Sequence, residues 1–399
     1  MPLKRTSPNK ALLRGDLPDN FTRGLYRLAP YRGCAHGCLY CDGRAERYFF
    51  EGEYEKDIDV RVSIPEALEK ELPALREEGM VVFGSGTTDP YQPCEAHETI
   101  TGRAARLLAC PPAGLPRLSA TLLTKSSLIE GDRDAWLTIN ENRGFVLLMS
   151  ITSIDESLRE WMEPGASSFE ERFRTLKAFK EAGCATGVLA MPLLPGLSDS
   201  RESVERLFEA SREAKVDFVM PGGLTLRPGR QKDLYLRSLE ARRPDLLEAT
   251  RILYREERAS GAPLASSSEE LRRRTAKIGR DFQMPFLLPH RIFATLMPAW
   301  DSFRILLRDM GELYPARGIE TGPLQEAASR YDAWLLDLRR HFRRHRSLPR
   351  EWLGERFDFA LVTGELERVL DNPRLSSFAH AVIAEGARLD YLSLELQTT

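Results

Sequence analysis

Six short apolar runs recur between residues 24 and 220, and helical stretches separate them. Runs without polar alternation predict strands that are buried on both faces, as in a parallel sheet. Strands that alternate with helices predict an α/β fold with right-handed crossovers, either an open doubly wound sheet or a barrel. The predicted strands are 24–28, 80–83, 118–124, 145–149, 186–191 and 216–220.

Two of the intervening helices carry start and stop signals. Ser63 with Glu66 forms a capping-box pattern that predicts a helix over 64–78. Ser167 with Glu170 predicts a second helix over 168–182, which Gly183 closes.

The loop after the first predicted strand holds Cys34, Cys38 and Cys41 in a C-x3-C-x2-C arrangement. Thiolates at this spacing can converge on one centre, and soft sulfur ligands favour iron-sulfur clusters, zinc or copper(I). A closed zinc site or a simple ferredoxin site takes four protein ligands, so three cysteines leave one metal position open. His36 is a poor fourth ligand because it lies between the first two cysteines.

Bulk composition excludes some classes of protein. The chain has 399 residues, a formal net charge of −2 and 42% apolar residues, which is ordinary for a globular protein and gives no general support for a nucleic-acid partner. No run of about 18 uncharged apolar residues predicts a membrane span. Six cysteines without a secretory segment predict a reducing compartment, and we expect a cytoplasmic protein.

Three regions are predicted along the chain. Residues 1–22 lack periodicity and predict an irregular arm that wraps the domain or stays mobile. Residues 23–232 contain all six strand signals, and 233–399 predict a mainly helical C-terminal region. In parallel α/β folds the carboxyl ends of the strands form the active site, and here those ends carry the cysteines, Lys125 and Ser150.

The pattern C-x3-C-x-aromatic-C, with Tyr40 as the aromatic residue, resembles the signature of the radical S-adenosylmethionine (SAM) superfamily. This resemblance implies an incomplete (β/α)6 barrel, similar to a TIM barrel, and a 4Fe-4S cluster on Cys34, Cys38 and Cys41. It also implies reductive cleavage of S-adenosylmethionine to a 5′-deoxyadenosyl radical that abstracts hydrogen from a substrate. A reductant such as a flavodoxin or ferredoxin would supply the electron.

Three further stretches resemble the spore photoproduct lyase branch, whose members are often labelled DNA repair photolyase-like. They are 85–93 (SGTTDPYQP), 123–127 (LTKSS) and 150–153 (SITS) followed by 163–165 (EPG). The resemblance implies cofactor-binding roles near S-adenosylmethionine for a set of residues at the strand ends: Tyr40, Ser85, Thr87, Lys125, Ser150 and Ala190. A lysine there can neutralise a carboxylate, and a serine can bind ribose.

One position departs from that branch. Spore photoproduct lyases carry a hydrogen-donating cysteine where this chain has Gly86. Cys94, in the same loop, is the candidate substitute, although a packing role is the more common one for a cysteine. The departure argues against spore photoproduct as the substrate.

A basic run near the carboxyl end gives a candidate nucleic-acid surface through Arg339, Arg340, Arg343 and Arg344. Such runs are more often solvated helix faces. Three functions therefore stay open: a radical SAM enzyme acting on a nucleic-acid base, one acting on a peptide, RNA or small molecule, and a non-catalytic zinc-stabilised nucleic-acid-binding module.

Overall fold

The computed structural model describes residues 3–84 and 86–398. It combines a large parallel sheet with many helices, so the α/β prediction is confirmed. The strands are β1 Lys4–Thr6, β2 Leu12–Arg14, β3 Tyr26–Leu28, β4 Tyr31–Arg32, β5 Asp59–Arg61, β6 Gly79–Phe83, β7 Leu118–Thr124, β8 Phe145–Ser150, β9 Ala185–Leu193, β10 Phe218–Gly223, β11 Arg388–Leu389 and β12 Leu396–Gln397.

Helices fill most of the remaining chain, and short 3-10 turns join several of them. The α-helices are α1 Ile64–Glu71, α2 Glu95–Glu98, α3 Ile100–Ala109, α4 Arg133–Asn142, α5 Glu156–Met162, α6 Phe169–Glu181, α7 Arg201–Glu213, α8 Arg230–Arg242, α9 Pro244–Leu253, α10 Ala265–Asp281, α11 His290–Phe293, α12 Ala299–Leu313, α13 Gly322–Arg344, α14 Trp352–Val362, α15 Glu365–Leu370 and α16 Pro373–Ile383.

The main sheet sets six parallel strands side by side in chain order, β3-β6-β7-β8-β9-β10, and β2 pairs antiparallel with the outer edge of β3. These six strands correspond to the six predicted ones. Because all six strands are parallel, their carboxyl ends lie along one edge of the sheet. That edge carries the cysteine loop, Lys125 and Ser150.

Both faces of the sheet are covered, which explains the uninterrupted apolar runs. Along β8, Phe145, Leu147 and Met149 belong to one buried apolar cluster with residues of α1, α3, α4, α6 and α7. The alternate residues Val146 and Leu148 pack with α11, α12 and α13 of the C-terminal region. The C-terminal helices therefore fill the face that the crossover helices leave open.

The hydrogen bonds correct two predicted helix caps, although α1 begins at Ile64 as predicted. The Ser63 hydroxyl donates to the carbonyl of Pro8 at 2.9 Å and does not cap α1, which ends at Glu71. The second capping box lies one residue later than predicted, on Ser168 and Glu171. The hydroxyl of Ser167 is already used, because it accepts from the amide of Ser127 at 2.9 Å.

The predicted amino-terminal arm, 1–22, contains two short strands, so its described part is not entirely irregular. β1 pairs parallel with β5, β2 pairs with β3, and the Arg23 guanidinium binds Asp309 of α12 at 2.8 Å. The region after residue 232 is mainly helical, with a small β11-β12 hairpin that sequence patterns did not predict. The predicted boundary at 232/233 stays a prediction, and α8 runs across it.

None of the helices within the described residues is long and apolar enough to cross a membrane.

Candidate functional site

The three clustered cysteines lie on one loop that follows β4 at the carboxyl edge of the sheet. Two tight turns shape it: the Gly37 amide donates to the Cys34 carbonyl and the Cys41 amide to the Cys38 carbonyl, both at 3.3 Å. Gly37 has φ +67°, a left-handed conformation that suits glycine. Cys34 and Cys38 are buried and Cys41 is half-buried.

The thiols are free and lie within electrostatic reach of one another. Burial, then Asp89, Cys38 and Cys41, raises the pKa of Cys34 well above its usual value. Burial raises the pKa of Cys38 to about 12, although the Lys125 ammonium opposes it. A bound metal would reverse this preference for the protonated thiols, since a coordinated thiol loses its proton.

Three thiols on one loop are a donor set that an iron-sulfur cluster can use. Among residues 3–84 and 86–398, no group of three or more His, Cys, Asp or Glu side chains is arranged to hold one metal ion. A cluster of several irons binds each thiolate at a different iron, so the three sulfurs need not share one point. Three free thiols on a single loop, two buried and one half-buried, fit that group.

The loop after β6 holds the cysteine loop in place. Thr88 Oγ1 donates to the Gly33 carbonyl at 2.7 Å, and Gln92 Oε1 accepts from the Ala35 amide at 2.8 Å. Asp89 Oδ2 lies 3.4 Å from His36 Nδ1. Thr88, Asp89 and Gln92 thus hold the cysteine loop in place. The sequence motif that contains them does not predict these contacts.

Asp89 also joins this loop to the end of β7. Its carboxylate accepts from the Thr124 hydroxyl at 2.7 Å and from the Lys125 amide at 2.8 Å. Burial raises the pKa of Asp89, but His36 and these hydrogen bonds outweigh it, so the pKa lies below its usual value. The cysteine loop and Lys125 are therefore held by one buried carboxylate.

A second buried carboxylate, Glu163, holds Tyr40. Glu163 and Arg172 are both fully buried and form an ion pair at 2.5 Å. The Tyr40 hydroxyl donates to Glu163 Oε1, and the Thr152 hydroxyl donates to the same atom at 3.1 Å. Burial raises the pKa of Glu163, but Arg172 and then Lys125 overcome it and hold the pKa below its usual value.

The turn between α5 and α6 docks directly on the cysteine loop. The Leu39 amide donates to the Met162 carbonyl and the Gly165 amide to the His36 carbonyl, both at 2.9 Å. A Cβ on Gly165 would lie 2.6 Å from the Ala35 carbonyl oxygen, so only glycine allows this approach.

The Lys125 ammonium lies 5.8 Å from the centre of the Tyr40 ring. Burial lowers the pKa of Lys125, but Glu163 and Cys38 outweigh it and the pKa is raised. Within the described part of the chain, no carboxylate oxygen comes within 4.0 Å of this ammonium. Among the described residues it is a half-buried cation beside the cysteines that forms no salt bridge.

The other predicted cofactor residues fall at neighbouring positions. Ser150 ends β8 and is buried, and Ala190 lies within β9. The Thr87 carbonyl accepts from the Tyr54 hydroxyl. Ser85 lies outside the described residues. The cofactor roles of all these residues stay predictions.

Cys94 directly precedes α2 and lies near two acidic side chains and a tyrosine. Burial, then Glu95 and Glu98, raises its pKa to about 12, and Tyr31 also contacts it. Its neighbours among the described residues are these acidic and aromatic side chains, not the three clustered cysteines. Its role as a hydrogen donor stays a prediction.

A cavity of about 1030 Å³ opens beside the carboxyl ends of β9 and β10, under α10, α12 and the arm. Its lining is mixed, with Phe21, Met191 and Met220 among the apolar side chains. Its arginines have acidic partners: Arg274 lies 3.7 Å from Asp199, Arg272 2.9 Å from Glu269, and Arg308 2.6 Å from Asp332.

The prediction of a phosphate-binding cluster is wrong for Arg339 and Arg343, two of its four residues. Arg339 is fully buried and binds Asp301 at 2.6 Å, because α13 packs this side chain against α12. Arg343 binds Glu77 at 2.8 Å and Asp16 at 2.9 Å. Arg340 and Arg344 are exposed.

The basic run also lies at the far end of the sheet. Arg343 reaches Glu77, just before the amino end of β6, whereas the cysteine loop follows the carboxyl ends. The seven residues of β7 separate the two ends by about 20 Å. The arginines of this run therefore do not lie at the cysteine loop.

Residues 28–210 match the model of the Radical SAM superfamily. These residues make up somewhat less than half of the chain, and they include the three clustered cysteines and Lys125.

Among curated relatives, an uncharacterized protein of Mycobacterium tuberculosis is 29% identical over 236 residues, which cover 58% of this chain and 67% of that protein. An uncharacterized protein of Methanocaldococcus jannaschii is 23% identical and covers 46% of this chain and 65% of its own length. A solved variant of spore photoproduct lyase with dinucleoside spore photoproduct is 18% identical, with a TM-score of 0.49 over 70% of this chain and 79% of that one.

Proposed function

We propose that Cys34, Cys38 and Cys41 hold a 4Fe-4S cluster and that S-adenosylmethionine binds beside it. The observation that carries this proposal is the unpaired Lys125 ammonium next to Cys38 and Tyr40. A half-buried ammonium that contacts no carboxylate of the protein can bind one from a ligand, and the carboxylate of S-adenosylmethionine would form that ion pair. When bound, the cluster and S-adenosylmethionine supply a 5′-deoxyadenosyl radical that takes a hydrogen atom from the substrate.

The remaining residues would position the ligand. Ser150 would bind the ribose, and Tyr40 with the backbone near Ala190 would bind the adenine. The six parallel strands would form an incomplete (β/α)6 barrel around this site, since their order is sequential. Thr87 and Ser85 would complete the ligand contacts.

The cavity at the ends of β9 and β10 is the proposed substrate entrance, because it opens at the same edge of the sheet. Its arginines are already paired with carboxylates, which gives no support for a polyanionic substrate. The substrate class that fits best is a peptide or small molecule. An electron-transfer protein of the flavodoxin or ferredoxin class would donate the electron, in a reducing compartment such as the cytoplasm where the free cysteines persist.

Anaerobic purification and cluster reconstitution test the proposal. Wild type should bind about four irons and, with dithionite and S-adenosylmethionine, release 5′-deoxyadenosine. Cys38→Ala should lose both iron and nucleoside. The matched control is Cys110→Ala, an exposed cysteine outside the loop, which should keep both. Bound zinc in place of iron in the wild type would refute the enzyme proposal and favour the zinc-binding module.

A further inference from the structure

Tyr54 covers the cysteine loop and touches two of its three cysteines. Its carbonyl accepts from the Cys34 amide at 3.0 Å, and its hydroxyl oxygen lies 3.6 Å from Cys41 Sγ. The residue is buried. Nothing in the sequence motif draws attention to it, because it lies 13 residues beyond Cys41.

The surrounding chain leaves room for this ring and fixes it. A Cβ on Gly43 would lie 2.2 Å from the Tyr54 hydroxyl oxygen. The Phe50 ring packs edge-on against Tyr54, with centroids 5.4 Å apart, and the Arg44 guanidinium lies 5.4 Å from the ring centre. The hydroxyl is therefore held at the sulfur by packing on several sides.

A phenol carries one proton and so can donate one hydrogen bond at a time. With Cys41 as a free thiol, the thiol donates to Tyr54 and the tyrosine hydroxyl donates to the Thr87 carbonyl. An iron-bound thiolate has no proton. The contact at Cys41 can then be favourable only if the tyrosine hydroxyl turns and donates to sulfur.

We propose that Tyr54 donates a hydrogen bond to the Cys41 sulfur of the loaded cluster and thereby raises the cluster's reduction potential. A reduced cluster carries one more negative charge than an oxidised one, so a donor at a ligand sulfur stabilises the reduced form more. The inference rests on the proposed function only in requiring the cluster on these three cysteines.

Tyr54→Phe removes the hydroxyl and keeps the ring. Only the difference in hydrogen-bond strength between the two oxidation states of the cluster counts here. We expect the ratio of reduced to oxidised cluster at a fixed potential to fall about tenfold, which corresponds to 59 mV for a one-electron couple.

The measurement is an anaerobic potentiometric titration followed by electron paramagnetic resonance, with iron content determined in parallel. Tyr26→Phe is the matched control, since it removes a buried tyrosine hydroxyl that donates to the Glu77 carbonyl at 2.9 Å, away from the cysteines. We expect the potential to move in Tyr54→Phe and not in Tyr26→Phe. An unchanged potential in a fully loaded Tyr54→Phe protein, or equal shifts in both variants, overturns the inference.

A second substitution covers the case in which Tyr54→Phe does not hold iron. Fluorotyrosine at position 54 keeps the hydroxyl, makes it a stronger donor and should raise the potential; a fall or no change overturns the inference. Failure of the wild type to bind iron would instead refute the proposed function. The two failures are thus distinguishable.

Discussion

Replacing Glu163 with Gln tests the role of the buried ion pair beneath Tyr40. Glu163 and Arg172 are both fully buried, and the substitution leaves the guanidinium without its counter-charge. Breaking a buried pair at one partner costs about 3–5 kcal/mol. Because the amide can still accept from the Tyr40 hydroxyl, we expect the lower end, about 3 kcal/mol of the free energy of unfolding.

The assay is urea denaturation of the iron-free protein for Glu163→Gln, Arg172→Met and the double variant. Since the double variant leaves no uncompensated buried charge, it should lose at least about 1 kcal/mol less than the sum of the two single losses. The exposed pair of Arg201 and Glu205, with N···O 2.7 Å, supplies the control. Glu205→Gln should leave the unfolding midpoint unchanged. Strict additivity of the two buried substitutions would refute the reasoning.

Three further outcomes are expected. Lys125→Met should weaken binding of S-adenosylmethionine to the reconstituted protein about tenfold or more by calorimetry, because it removes the unpaired ammonium. Gly165→Ala should lower iron content, since its Cβ would press on a carbonyl of the cysteine loop at 2.6 Å. His290→Gln should make the loss of stability in acid shallower. Burial lowers the pKa of His290 to about 3, against about 6.5 when unfolded. Between these pH values the unfolded chain binds one more proton, so wild-type stability falls with falling pH by about 1.4 kcal/mol per unit.

Controls separate these effects from general damage. Lys177→Met changes an exposed lysine and should leave S-adenosylmethionine binding intact. Gly131→Ala adds a Cβ in open space and should keep full iron content. Equal iron loading in the Gly165 and Gly131 variants would contradict the packing argument. An acid slope as steep in His290→Gln as in wild type would show that other groups cause it.

Local patterns predicted the sheet well because its strands are buried on both faces, which leaves a strong apolar signal. The predicted range 118–124 coincides with β7. The capping box of α6 was misplaced by one residue because two adjacent serines can both cap. The Ser167 hydroxyl does not cap the helix because it accepts a hydrogen bond from the amide of Ser127, 40 residues away in the sequence.

The candidate site also contains residues that local patterns predict and residues that they do not. The three cysteines were evident from spacing alone, but Gln92 and Tyr54 act through contacts that no local pattern encodes. The basic run gave a wrong prediction for Arg339 because a local pattern does not show the distant partner of a charged side chain. Arg339 looks solvated in sequence, yet its partner Asp301 lies 38 residues away and reaches it only after α12 and α13 pack together.

The pairing of β2 with β3 also protects the protein from self-association. β3 is the outermost of the six parallel strands, and the arm supplies the antiparallel neighbour that covers its free edge. An uncovered edge presents unpaired amides and carbonyls that recruit strands from other molecules. A chain shortened to begin at Gly24 would therefore be prone to self-association even with every cysteine and lysine of the site in place.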